Sequence, residues 1–228
     1  MKKKLLDAVI NKKKENVAFA IITNLENGEG CIFEKGKPLD KNFIKFEKNI
    51  NLYFDKKKNG IIDGTNIFVE TYFLPIKVFI VGAVHIAQAL VSLANVTDYE
   101  VILIDPRDHF AKKSRFPNCK IINEWPDEAL SKFNLDKSSH LVTLTHDPKI
   151  DDLALIFCMK KNIGYIGSLG SKKTHNKRCE RLIEKGFDEI ELSKIHAPIG
   201  LDIKAKTPAE IATSILAEII NYRRNNND

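Results

Sequence analysis

Long apolar runs are missing from this sequence. A stretch such as 153–159 falls far short of the ~20 residues that cross a membrane, so no membrane span is expected. Cysteines at metal spacing are missing too. The four cysteines, Cys31, Cys119, Cys158 and Cys179, contain no C-x-x-C pair, which argues against structural zinc. Cys158 lies in an apolar run and reads as core. His175 and Cys179 stand four apart on an expected helix and share a face, but no third ligand is nearby. There is no Ser-centred elbow and no Gly-Lys-Ser/Thr phosphate loop. The formal charge is +6, yet the lysine triplets at 2–4, 12–14 and 56–58 lack interleaved aromatics, so no nucleic-acid face is indicated. The start, Met1-Lys2-Lys3-Lys4-Leu5-Leu6-Asp7, has a basic lead but too short an apolar run for a signal peptide. It reads as a helix, and the expected location is the cytoplasm.

What is present divides in two. Residues 1–74 read as a small β-rich N-terminal domain with one or two helices. Strands are expected at 17–23, 31–33, 43–46 and 67–72, where strand-forming residues gather. No chemical motif stands out there. Pro75 marks the boundary, because a residue before proline is pushed extended.

From 75 to 228 strand and helix patterns alternate, which predicts an α/β domain with a parallel sheet. Its first unit is Phe79-Ile80-Val81-Gly82-Ala83-Val84-His85-Ile86-Ala87, followed by Val101-Ile102-Leu103-Ile104-Asp105-Pro106-Arg107. A strand that empties into a helix N-terminus offers backbone N–H groups and a positive dipole end to a phosphate. An acid at the next strand tip suits ribose hydroxyls. The glycine fingerprint is incomplete: Gly82 holds its first position, but Val84 and Ala87 hold the second and third. The last helix has the clearest signature, with Thr207 as N-cap, Pro208 first, Glu210 completing a capping box, and a stripe of Ile211, Ala212, Ile215, Leu216, Ile219 and Ile220. Residues 225–228 are expected to fray.

Ligands of open α/β sheets bind outside the carboxyl ends of the strands, and those ends are polar here. They carry Gly82 and His85; Asp105 and Arg107; His146 and Asp147; and the loop Gly167-Ser168-Leu169-Gly170-Ser171-Lys172-Lys173-Thr174. That last loop combines glycines, hydroxyls and lysines at a helix start and is the preferred phosphate candidate. His146-Asp147 reads equally as a helix cap or a ligand contact. His85 reads equally as a first-turn residue, and Asp105 with Arg107 as a structural ion pair. His196, Gly200 and Asp202 shape a turn before the last helix and can face the sheet. No activated nucleophile and no spaced acid/base pair is visible, so the site looks built to hold an anion rather than break it.

Together these residues resemble the XdhC/CoxI family, accessory proteins of molybdenum hydroxylases such as xanthine dehydrogenase. The resemblance rests on the glycine and aspartate strand ends above, Arg115-Phe116-Pro117, Thr145-His146-Asp147, Tyr165-Ile166-Gly167-Ser168-Leu169-Gly170-Ser171, His196-Ala197-Pro198-Ile199-Gly200-Leu201-Asp202 and Lys206-Thr207-Pro208-Ala209-Glu210. It implies a Rossmann-like parallel-sheet C-terminal domain and an N-terminal domain of the XdhC/CoxI type. It further implies a chaperone that binds molybdenum cofactor (Mo-molybdopterin), holds it for sulfuration by a cysteine desulfurase, and helps insert it into an apo molybdenum hydroxylase of the xanthine dehydrogenase type. A homodimer is expected by analogy. The residues named at the strand ends, from Gly82 to Asp202, would form the cofactor cradle. Two other readings stand beside it: an NAD(P)-dependent oxidoreductase using the βαβ unit, and a scaffold joining hydroxylase to desulfurase without holding cofactor.

Overall fold

The computed structural model describes residues 3–15 and 17–227. The chain divides into two compact units, one ending at Leu74 and one spanning Pro75–Asn227.

The first unit opens with helix α1 (Lys3–Lys14), then strands β1 (Phe19–Asn24) and β2 (Gly30–Phe33), helix α2 (Glu47–Asp55), and strands β3 (Gly60–Ile61) and β4 (Ile67–Tyr72). The strands form an antiparallel sheet in the order β2-β1-β4-β3. Alternation along β1 assigns the two faces: Phe19 and Ile21 pack with Val9 of α1, while Ala20 and Ile22 pack with Ile50, Tyr53 and Phe54 of α2. The strand expected at 43–46 is instead a 3-10 turn, Ile44–Phe46, that runs into α2. Phe43, Phe46, Ile50 and Phe54 join one core, and their spacing of three to four residues is the helical period, not the strand period.

The second unit carries β5 (Lys77–Val81), α3 (His85–Val96), β6 (Glu100–Ile104), β7 (Lys120–Ile122), α4 (Pro126–Ser131), β8 (Ser139–Thr143), α5 (Pro148–Met159), β9 (Tyr165–Ser168), α6 (Lys172–Glu184), α7 (Glu189–Leu192), β10 (Ile195–His196) and α8 (Pro208–Asn227). All strand pairs are parallel, in the order β10-β9-β8-β5-β6-β7. Helices cover both faces, so the strands are buried on both sides and read as unbroken apolar runs. Val78 and Ile80 pack with Leu90 of α3 and Ile215 and Ile219 of α8. Phe79 and Val81 pack on the other face with Ala129 and Leu130 of α4, Ala154 and Leu155 of α5, and Leu182 of α6.

The capping box of α8 forms as its sequence predicts. Glu210 N–H donates to Thr207 Oγ1 at 3.2 Å, and Thr207 N–H donates to Glu210 Oε2 at 2.9 Å. The helix runs through Asn227, and Asn225 Nδ2 donates to Asn221 Oδ1 at 3.2 Å. Asp228, expected to fray, lies outside the described residues. In the second unit two elements have no counterpart in the sequence reading, as β3 has none in the first. The four-residue α7 is capped by a reciprocal Asp188–Glu191 box, and β10 has only two residues.

Candidate functional site

The sheet turns its carboxyl ends to one edge, and the loops there are held from within. Asp105, at the tip of β6, is fully buried. Its Oδ2 accepts from Ala83 N–H at 2.8 Å and from Arg107 Nη2 at 2.8 Å. Its Oδ1 accepts from Arg107 N–H at 3.0 Å and Nε at 2.8 Å. Burial alone would raise this carboxyl's pKa, but the Arg107 guanidinium and two backbone N–H groups hold it below its ordinary value. The carbonyl of Ala83 is taken as well, by Arg115 Nη1 at 2.9 Å. The N–H and the carbonyl of Ala83 are therefore both spent inside the protein.

Gly82 explains itself in the same way. Its φ is +112°, and an added Cβ would lie 2.7 Å from Thr145 Cγ2 and 3.0 Å from Thr145 N. The glycine makes room for the neighbouring loop after β8, not for open space. Gly167 is comparable, since a Cβ there would meet Ile199 Cδ1 at 2.5 Å and Tyr165 Oη at 2.6 Å. Ser168 is buried, with its hydroxyl 2.5 Å from that of Thr143.

Further along, Thr145-His146-Asp147 is tied down by Asp151, a buried residue inside α5. Asp151 Oδ1 accepts from Thr145 Oγ1 at 2.7 Å and Oδ2 accepts from His146 N–H at 3.1 Å. Burial raises the Asp151 pKa against these hydrogen bonds. Asp147 caps α5 by accepting from Lys149 N–H at 3.0 Å, which leaves the exposed imidazole of His146, at φ +62°, projecting from the loop. Ser171 caps α6 by accepting from Thr174 N–H at 3.2 Å, after a sharp turn at Gly170, φ +138°.

His196 faces α8. Its Nδ1 lies 2.8 Å from Glu218 Oε1, and its ring lies 4.8 Å from that of Tyr165 at a tilt of 30° and meets that of Tyr222 edge-on at 4.8 Å. Glu218 also accepts from the Tyr165 hydroxyl at 3.0 Å and from Gly200 N–H. Asp202 is exposed and pairs with Lys204 at 2.7 Å. His85 is exposed at the first residue of α3, and Lys172 is exposed at the start of α6.

One cleft gathers part of what remains open. It lies between the N-terminal turn of α5 and the first three turns of α6, with a volume of about 230 Å³, and its walls include His146, Asp151, Lys173, Lys177, Arg178 and Arg181. Two helix N-termini supply positive dipole ends. Arg181 pairs with Asp152 through Nε at 2.6 Å and Nη2 at 3.0 Å, bracing one helix against the other. Of the sequence-derived candidates, the cleft brings together His146 and Lys173. Gly82, Asp105, Gly167, Ser168, His196 and Gly200 hold the surrounding loops in place. Arg178, Asp151 and Glu218 were not singled out from sequence. The available signal was a charge in an inward helical stripe: Arg178 stands four residues before buried Leu182, and Glu218 three after buried Ile215.

Cys179 Sγ lies 3.5 Å from His175 Nε2 on α6. Among the described residues, no three His, Cys, Asp or Glu side chains gather as a metal site. Among them, too, no helix is long and apolar enough to cross a membrane.

A doubly covered parallel sheet with a cationic cleft at its carboxyl edge defines a Rossmann-like domain suited to an anionic ligand. The family model for the XdhC Rossmann domain matches residues 78–219, and the chain belongs to the XdhC family. It is 32% identical over 161 residues to a Bacillus subtilis protein named as a probable subunit of xanthine dehydrogenase, covering 70% of this chain and 47% of that one. It is 27% identical over 191 residues to the Escherichia coli molybdenum cofactor insertion chaperone PaoD, covering 80% of this chain and 54% of that one. The chain thus spans about half the length of these curated relatives. A solved Bacillus halodurans protein, described as a xanthine dehydrogenase, shares the fold with a TM-score of 0.72 at 23% identity, over 98% of this chain and 64% of that one.

Proposed function

We propose that this protein serves the maturation of a molybdenum hydroxylase of the xanthine dehydrogenase type. It holds Mo-molybdopterin at the carboxyl edge of the sheet, keeps it for sulfuration by a cysteine desulfurase, and helps insert it into the apo enzyme. The work is done in the cytoplasm, by a homodimer. The observation that carries this reading is the cationic cleft between α5 and α6, in a chain similar to a protein named as a molybdenum cofactor insertion chaperone. Molybdopterin bears a phosphate, which suits lysines, an arginine and two helix N-termini. A carrier needs to hold its cargo without turning it over, and the cleft offers donors but no activated nucleophile. The cradle proposed from sequence contracts accordingly. His146 and Lys173 are its members in the cleft and Lys172 is exposed beside them, while Asp105, Arg107, Asp147, Gly170, Ser171, His196 and Gly200 position the loops around them.

An NAD(P)-dependent oxidoreductase would need the Asp105 carboxylate for ribose. Both its oxygens are already engaged, by Ala83 N–H and by Arg107. The test is equilibrium binding of purified protein to Mo-molybdopterin, NADH and NADPH, alongside activation of an apo hydroxylase. Stoichiometric binding of Mo-molybdopterin alone is expected. Binding of NADH or NADPH with no Mo-molybdopterin would refute the proposal, and activation of the apo enzyme without cofactor binding would favour the scaffold.

A further inference from the structure

Arg178 is 2% exposed, and its charge is under-compensated. Among the described residues only Nη2 has a partner, the carbonyl of Leu169 at 2.9 Å, and Nε and Nη1 have no acceptor. Two carboxylates lie close enough to be felt electrostatically, Asp151 and Asp152, but both are committed elsewhere. Asp151 holds the Thr145-His146 loop, and Asp152 is gripped at both oxygens by Arg181. A buried guanidinium with unused donors is costly to keep, and burial pushes its pKa down despite those two acids. The arginine is nevertheless part of the wall of the α5–α6 cleft, beside His146, Lys173 and Lys177.

We propose that Arg178 makes this cleft a receptor for a phosphate monoester, with Lys173 and Lys177 closing over the anion from the exposed side. The cleft's volume of about 230 Å³ is below the ~300 Å³ at which sites for drug-sized molecules begin. It admits a phosphoryl group but not the whole of a larger ligand, so the remainder extends outside. This rests on the proposed function in one respect: the phosphate is that of the molybdopterin cargo. Free inorganic phosphate shares the same chemistry.

The two sources separate by titration of the full chain at constant ionic strength, first with sodium phosphate and then with Mo-molybdopterin. Wild-type protein is expected to bind phosphate saturably and to rise in Tm with phosphate but not with chloride. Arg178→Met fills similar space without charge, and it should bind phosphate at least tenfold more weakly. Its Tm without ligand should match or exceed that of wild type, because a buried unpaired charge has been removed. Should Arg178→Met not fold, Lys173→Ala/Lys177→Ala, both exposed, is expected to weaken phosphate binding severalfold with Tm unchanged. No phosphate binding by wild type, or unchanged affinity in the folded variants, overturns the receptor. Weakened phosphate binding with unchanged Mo-molybdopterin affinity overturns the cargo assignment. Wild-type protein that binds phosphate but not Mo-molybdopterin supports the receptor and refutes the proposed function instead.

Discussion

Asp105→Asn separates a structural acid from a ligand-binding one. In the wild type, two carboxylate oxygens accept four hydrogen bonds, at 2.8 Å from Ala83 N–H and at 3.0, 2.8 and 2.8 Å from Arg107. The amide removes the charge and turns an NH2 toward one pair of these donors. Breaking a buried pair by removing one partner costs about 3–5 kcal/mol. Arg107 is 33% exposed at its side chain and can turn toward water, which discounts this to about 2–3 kcal/mol. For a unit of this size the Tm should fall by roughly 4–12 °C. The assay is urea denaturation followed by tryptophan fluorescence, because the one tryptophan, Trp125, lies in the second unit and reports on it alone. The pH dependence adds a second readout. The Asp105 pKa is depressed on folding, so its contribution is complete above the unfolded value of about 3.9 and is lost as pH falls through the folded value. Asp105→Asn should lack that acid-side loss. A variant within ~0.5 kcal/mol of wild type at pH 7 would refute the argument and return Asp105 to the ligand.

Gly82→Ala should destabilise by about 3 kcal/mol, from the positive φ plus the overlap with Thr145. Gly186→Ala, at φ +92° with nothing within 4 Å of the added carbon, should cost only ~1 kcal/mol; equal losses in denaturation would show that the Thr145 approach is not what requires Gly82. His140 is buried, and burial followed by the charge of Arg223 pushes its pKa down to about 4. Between pH 6.5 and about 4 the unfolded chain takes a proton that the native chain refuses, so stability should fall with pH by on the order of 3 kcal/mol. An NMR titration showing this imidazole charged at pH 6 would contradict it. Burial pushes the Cys158 thiol up to about 12, so iodoacetamide at pH 8 should spare it in the folded protein and modify it after denaturation, as read by peptide mass spectrometry.

The second unit was legible because its signals are local or periodic. Runs such as Val101-Ile102-Leu103-Ile104 are apolar throughout since helices cover both faces, and Thr207, Pro208 and Glu210 mark the start of α8 within four residues. The elements that escaped are those whose signal is short or shared. Phe43 and Phe46 suit a strand when taken alone and a helix once Ile50 and Phe54 are counted with them. β10 forms because its two residues have β9 beside them, pairing Ile195 with Ile166 and His196 with Gly167. The candidate site was harder to read for a related reason. A glycine in a strand-end loop needs space, but only the tertiary structure says what occupies it, and at Gly82 and Gly167 the occupants are Thr145 and Ile199. A strand-end acid needs donors, and for Asp105 the chain supplies them all. Arg178 carries no mark in the sequence, because its significance lies in acceptors that the described residues do not supply.

The parallel sheet ends on one side with the three residues of β7 and on the other with the two of β10. Exposed strands recruit foreign chains by lending them an unpaired backbone ladder, and a ladder this short gives an incoming peptide almost nothing to register against. Strand addition, a common mode of peptide capture, is therefore poorly served at either border. Any partner of this unit is then met by side chains on helix faces and loops, whose contacts are made and undone piecemeal. For the carrier proposed above, such a surface favours release over lasting attachment.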